Sequence, residues 1–145
     1  MEEKLDLEMI AMTLIGRAGE SKSLAYQALT AAKEGKFEEA EEFMKKASDE
    51  MIKAHEIQTD LIVKEAGGEK IDVGLIMVHS QDHLMGAILF KDLVREFIDL
   101  YKKMHEKIDE IFENDKKLDK LFNAAFCYAI IKGKLDRGKL KKEDY

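Results

Sequence analysis

The chain has 145 residues, 46% of them hydrophobic and 37% charged, with no proline, no tryptophan and a net charge of −6. That length suits one domain with a real core, and that composition excludes an intrinsically disordered chain. The acidic balance, with a pI near 5.3, argues against nucleic acid as a partner.

The chain opens on MEEKLDLEMIAM, which is acidic and has no long apolar core, so it does not read as a signal peptide. No apolar run approaches the roughly 20 residues that span a bilayer. The lone cysteine, Cys127, cannot form an intrachain disulfide and suits a reducing compartment. The expectation is a cytoplasmic protein without membrane insertion.

A first helix is predicted from about Leu5 to Lys33. Leu7, Leu14, Ser21 and Ala28 recur every seven residues, and so do Ala11, Ala18, Ala25 and Ala32. Two such rows make one seam, and the alanines let a neighbouring helix approach closely. Gly35 supplies a stop. A second helix is predicted from Phe37 to just before Gly67-Gly68, with Phe37, Ala40, Met44, Ala47, Met51, Ala54, Gln58 and Leu61 on one seam. Gln58 is its polar exception. A third helix is predicted from about Val73, N-capped by Asp72. Its apolar row is Leu89, Leu93, Phe97, Leu100 and Met104, continuing through Ile108 and Ile111. Each helix is about 30 residues, or about 45 Å. Short connections at Gly35 and Gly67–Lys70 then dictate an all-α, antiparallel up-down-up three-helix bundle.

The character changes after Glu106, which divides the chain into a helical domain, 1–105, and a C-terminal extension, 106–145. One further helix is predicted over about Lys117–Lys132, interrupted near Gly133. From Lys132 to Lys142 stand six basic residues and one acidic. This reads first as a solvated terminus and second as a docking tail for an acidic partner or surface. Residues 1–105 carry 14 basic and 21 acidic residues, so the extension could also dock on its own acidic body.

The chemistry-bearing stretch is IMVHSQDHLMGAIL, from Ile76 to Leu89. On a helix, His79 lies three residues before Asp82 and four before His83, so all three share one side. Leu75, Val78, Met85 and Leu89 surround Asp82 at helical spacing. An unpaired carboxylate buried there would cost several kcal/mol. Three readings remain open. In the first, the histidines are each hydrogen-bonded structural residues, and Asp82 is compensated by a cation, a proton or exposure. His79 and His83 have zinc spacing, with Asp82 as a further ligand, although His55 and His105 stand apart and no histidine has an acid three residues before it, as di-iron bundles require. Alternatively, a neutral imidazole of ordinary pKa, about 6.5, is a competent phosphoryl acceptor at cell pH. In that case Asp82 could face its own copies about a three-fold axis, with a divalent cation relieving their repulsion.

Three stretches resemble the IIA component of the lactose/cellobiose (diacetylchitobiose) class of the phosphoenolpyruvate-dependent sugar phosphotransferase system. They are GRAGESKSLAYQALTAAKEGKFEEAEEFMKKA (16–47), AHEIQTDLIVKEAGGE (54–69) and MVHSQDHLMGAILFKDLVREFIDLYK (77–102). They stand in order, and the resemblance covers about Leu5 to Lys103. It implies a homotrimer of three-helix bundles. It also implies phosphorylation of His79 on Nε2 by the phosphohistidine carrier HPr, and transfer to a cysteine of a IIB component during uptake of a β-linked disaccharide such as cellobiose or lactose. Asp82 would bind a divalent metal, Mg²⁺ by preference, at the trimer axis. The resemblance gives His83 no firm role, and it makes His55 and Gln58 packing, subunit-contact or cleft-lining residues. Gly86 would keep the surface open or serve packing. Leu84 and Met85 are partner contacts or core. Family members usually end soon after LYK, so the extension is a departure. The competing class is a non-enzymatic bundle, a metal-binding or protein-interaction module whose working part is that extension.

Overall fold

The structure, a computed structural model, describes residues 6–136. Among these residues are three helices and no strand: α1, Leu7–Lys33; α2, Phe37–Ala66; and α3, Leu75–Asp136. The chain groups into two compact units, one ending at Lys103 and the other beginning at Met104. The predicted start at Leu5 and the basic run past Asp136 lie outside the described residues.

Local chemistry sets the helix ends. Asp6 caps α1, its Oδ1 accepting the Met9 N–H at 3.0 Å. At the other end Gly35 adopts φ 75°, a conformation that a Cβ penalises. The Gly35 N–H donates to the Ala32 carbonyl and the Lys36 N–H to the Ala31 carbonyl. This paired closure satisfies carbonyls that the helix leaves open. The same device ends α2, where Gly68 has φ 95° and Gly68 and Glu69 donate to the carbonyls of Glu65 and Lys64. The start of α3 differs from the expectation. The Gly74 carbonyl, not Asp72, receives the first turn, from the N–H groups of Met77 and Val78.

The core of the first unit falls into two layers that fix the topology. One joins Ala11, Leu14 and Ala18 to Met51, Ala54 and Leu61 and to Met77, Leu84 and Ala87. The other joins Ala25, Ala28 and Ala32 to Ala40, Met44 and Ala47 and to Val94 and Ile98. The start of α1 therefore meets the end of α2 and the start of α3, which is the predicted up-down-up arrangement. Both predicted seams of α1 and α2 are the buried ones. The odd residue in the α1 seam, Ser21, is fully buried and donates its Oγ hydrogen to the Ala47 carbonyl at 2.7 Å. A buried hydroxyl needs such a partner.

The third helix corrects the expectation. Its buried face is Met77, Ser80, Leu84, Ala87, Val94 and Ile98. The predicted row, Leu89, Leu93, Phe97, Leu100 and Met104, is exposed instead. The true core row carries a serine, an alanine and, at its midpoint, the half-buried Lys91, so it is the less apolar of the two in sequence. Ser80 is accommodated because its Oγ donates to the Met77 carbonyl at 2.7 Å.

A separate helix at Lys117–Lys132 is also corrected. Residues 104–136 continue α3 without a break, through Gly133. The stretch between Glu106 and Lys117 has neither proline nor glycine, and Asn114-Asp115 costs only a fraction of a kcal/mol, on the order of 0.5 each, in a helix. Lys107–Glu110 and Glu113–Lys116 pairs span it at i,i+3, at 2.7 and 2.9 Å.

Glu41 ties α2 to α3 by accepting from Arg95 at 2.6 Å and from Lys102 at 2.8 Å. The Arg95 hydrogen bond, then that of Lys102, holds its carboxyl below the usual carboxylate value. A depressed folded-state pKa contributes stability that is present above the unfolded pKa and lost as pH falls through the folded one. The site is partly exposed, so solvent screening limits the effect. Glu41→Gln should cost about 0.5–1 kcal/mol at pH 7. In urea titrations the difference from the parent should shrink toward zero as pH falls below the ordinary glutamate value, about 4.5.

Candidate functional site

At about 100° per residue, α3 turns different faces to the core and to solvent. With Met77, Ser80 and Leu84 directed inward, Asp82 points almost directly away from the core. It stands in the middle of an exposed apolar stripe of Leu75, Val78, Met85 and Leu89, the last 61% exposed. This resolves the apparent cost of a carboxylate among apolar residues: within one chain Asp82 is exposed, so water solvates it and no burial penalty arises. His79 and His83 flank the stripe on one side and Gln81 on the other.

Both imidazoles are exposed. Their rings meet edge to face, with centroids 4.5 Å apart and an interplanar angle of 82°. That geometry matches the i,i+4 placement and lets each ring restrict the other's rotation. Below them the helix is anchored by Leu84 and Ser80, both fully buried. The imidazole at position 79 thus stands on a packed segment with its ring in solvent.

Gln81 is a participant that sequence reasoning passed over. The Gln58 Nε2–H donates to Gln81 Oε1, joining α2 to α3 beside the site, and Gln81 Nε2 lies 3.7 Å from Met77 Sδ. Gln58 therefore acts in packing within the chain. Its sequence signal was there: a polar residue on the α2 seam requires a polar partner across it. His55 is placed differently, in an open groove of about 400 Å³ on α2, lined by Met51, Ile52, Glu56, Thr59 and Asp60. Leu84 is core, whereas Met85 is exposed. Gly86 is exposed, and a Cβ built there would meet nothing within 4 Å. It fills no packing role inside the chain.

Among the described residues, no three His, Cys, Asp or Glu side chains gather into a group able to hold a metal. Four-ligand structural zinc within one chain does not fit His79, His83 and Asp82. A single carboxylate such as Asp82 is the donor type for a hard divalent cation, and it would need oxygens from elsewhere to complete a shell.

The fold and the site together define an all-helical bundle that displays His79, Asp82 and His83 on one exposed helix face. The comparisons with known proteins identify the family to which such a bundle belongs. Residues 9–102 match the family model of the phosphotransferase-system lactose/cellobiose-specific IIA subunit. The chain is 46% identical over 102 residues to the lichenan-specific phosphotransferase enzyme IIA component of Bacillus subtilis, covering 70% of this chain and 93% of that one. It is 42% identical over 102 residues to the N,N'-diacetylchitobiose-specific EIIA component of Escherichia coli, covering 70% and 88%. The crystal structure of the cellobiose-specific enzyme IIA of Bacillus anthracis superposes with a TM-score of 0.69 at 47% identity, over 72% of this chain and 96% of that one. The IIA(chitobiose) of the Escherichia coli complex with HPr gives a TM-score of 0.62 at 40% identity, over 70% and 98%. The chain belongs to the lactose/cellobiose-specific IIA family of the sugar phosphotransferase system, whose members are phosphotransferase phosphoryl carriers. Its matched part ends at residue 102. Among the described residues no helix is long and apolar enough to cross a membrane.

Proposed function

We propose that this chain carries phosphate on His79, in the cytoplasm, between HPr and a IIB component during uptake of a β-linked disaccharide. The observation that carries the reading is the exposed His79 ring on a helix whose inward face is fully packed, at the family's signature position. The Nε2 lone pair attacks phosphorus in phosphohistidine of HPr. The incoming P–N bond forms as the donor P–N bond breaks, the donor leaves as neutral imidazole, and His79 keeps its proton on Nδ1. In the second step a IIB thiolate attacks the same phosphorus. A P–S bond forms, and the P–N bond to His79 breaks. Both steps depend on in-line positioning and need no enclosed site within this chain. The HPr complex of the Escherichia coli relative supports HPr as donor. The test is labelling by phospho-HPr, with the acid-labile phosphate mapped by mass spectrometry. Label absent, or on a residue other than His79, would refute the reading.

The working assembly is a homotrimer about the outward stripe of α3. Leu75, Val78, Met85, Leu89 and Leu93 form an exposed apolar stripe around Asp82, the kind of surface that marks a protein contact, and three copies would cover it. Asp82 would then repeat three times around the axis. Three carboxylates would supply the hard oxygen donors that a Mg²⁺-like ion prefers, and the ion would supply the charge that offsets their repulsion. Asp82→Leu should abolish stoichiometric divalent-ion binding. It should leave a native mass of three times 16.6 kDa, because added apolar contact offsets the lost ion. A monomeric Asp82→Leu protein would show that the ion is needed for assembly.

A further inference from the structure

The second unit has its own unpartnered apolar face. Met104, Ile108, Ile111, Leu118, Phe122 and Ala125 recur at alternating steps of four and three, with Asp115 as the one polar member. All the large ones are exposed, Phe122 by 71%. The charges Glu106, Asp109, Glu113, Lys116 and Lys120 fall on the opposite side of the same helix. A mean spacing of 3.5 residues is the period of a supercoiled seam and matches only another helix of the same period.

We propose that residues 104–129 pair in parallel and in register with the same segment of other copies of this chain, forming a coiled coil. The flanking positions select this occupant. In a parallel pair, the residue before each four-step position faces the residue five further on in the neighbour. Here that sets Lys107 against Phe112, Asn114 against Asp119 and Leu121 against Phe126. Among these flanking pairs no like charges meet, one pair can hydrogen-bond, and one is apolar. Asp115 would face its own copies, and the repulsion of their carboxylates is a cost in stability of the kind that polar seam residues bear when they fix register. The number of strands, three, rests on the trimer reading above, whereas the pairing itself does not. The departure from the family's length thereby acquires a role: it holds copies together independently of the bundle.

The test uses the full chain with Cys127→Ser, which removes the one native thiol. Into it go Leu118→Cys on the seam, Ile108→Cys as a second seam position, and Lys116→Cys on the far face. Circular dichroism verifies that each stays helical. Under copper–phenanthroline oxidation, the two seam variants should form interchain disulfides at least about tenfold faster than Lys116→Cys, because pairing raises the local thiol concentration. Equal rates at the three positions, or faster linkage at Lys116→Cys, would overturn the proposal. Leu89→Cys reports separately on the bundle stripe. Linkage there without linkage at 108 and 118 refutes the coiled coil and leaves the trimer reading standing. Linkage at 108 and 118 alone supports the coiled coil and refutes the bundle trimer.

Discussion

Replacing His79 by glutamine is expected to abolish phosphate acceptance from phospho-HPr while leaving the fold intact. Glutamine keeps the polarity and approximate reach of the imidazole but has no ring nitrogen lone pair with which to attack phosphorus. Loss of a nucleophile in covalent catalysis costs on the order of 10⁴-fold or more, so labelling should fall to background. The ring is exposed and outside the core, so the unfolding free energy should move by no more than about 1.5 kcal/mol, the most its contact with the His83 ring is worth. His83→Ala sharpens the assignment. It removes the edge-to-face partner 4.5 Å away, a contact worth about 0.5–1.5 kcal/mol. Acceptance should therefore fall by about tenfold at most, through looser orientation of His79. Complete loss in His83→Ala with retention in His79→Gln would reverse the two roles.

Much of this arrangement was legible in the sequence because seven-residue spacing has one physical reading. The alanine rows of α1 and the Ala/Met row of α2 lie on the buried faces, and Gly35 and Gly68 close their helices. The third helix was harder, because α3 carries two apolar rows and periodicity ranks them by hydrophobicity. The richer row, with Leu89, Phe97 and Leu100, faces outward. The poorer row, with Ser80 and Ala87, faces inward, since Ala-lined neighbours accept small residues and Ser80 satisfies its own hydroxyl. A single chain's sequence does not mark which apolar row folding buries and which it leaves for other chains.

The site divides in the same way. Helical spacing alone brings His79, Asp82 and His83 to one side of α3, but that spacing suits a ligand set as well as a carrier. All three are exposed, and among the described residues no third ligand joins the histidines. The hydrogen bond between Gln58 and Gln81 could not be read from spacing, since it joins side chains on different helices. The extension was misread for a local reason. Asn114-Asp115 and Gly133 resemble breakers, yet each costs only about 1 kcal/mol or less, and flanking i,i+3 ion pairs offset part of that.

Leu84→Ala and Leu89→Ala, five residues apart on α3, should separate folding from assembly. Leu84 is fully buried among Ala11, Ala18, Ala54 and Ala87, with Leu14, Met51 and Met77 also in the cluster. Alanines have no side-chain length with which to collapse into a void, so the truncation should leave most of its cavity. Only Met51 and Met77 are flexible enough to fill part of it. The expected loss is about 3 kcal/mol in urea-induced unfolding, within the range for buried leucines. Phosphate acceptance well below the melting temperature should persist, because His79 points away from that core. Leu89 is 61% exposed within the chain, so Leu89→Ala should change the unfolding of dilute, dissociated protein by no more than about 0.5 kcal/mol. Its cost should appear in assembly, as dissociation at concentrations where the parent holds together, measured by sedimentation. If Leu89→Ala leaves the association constant unchanged, the outward row is not where copies meet. If Leu84→Ala costs less than about 1 kcal/mol, the alanine seam repacks, and His79 rests on a softer platform than its burial implies.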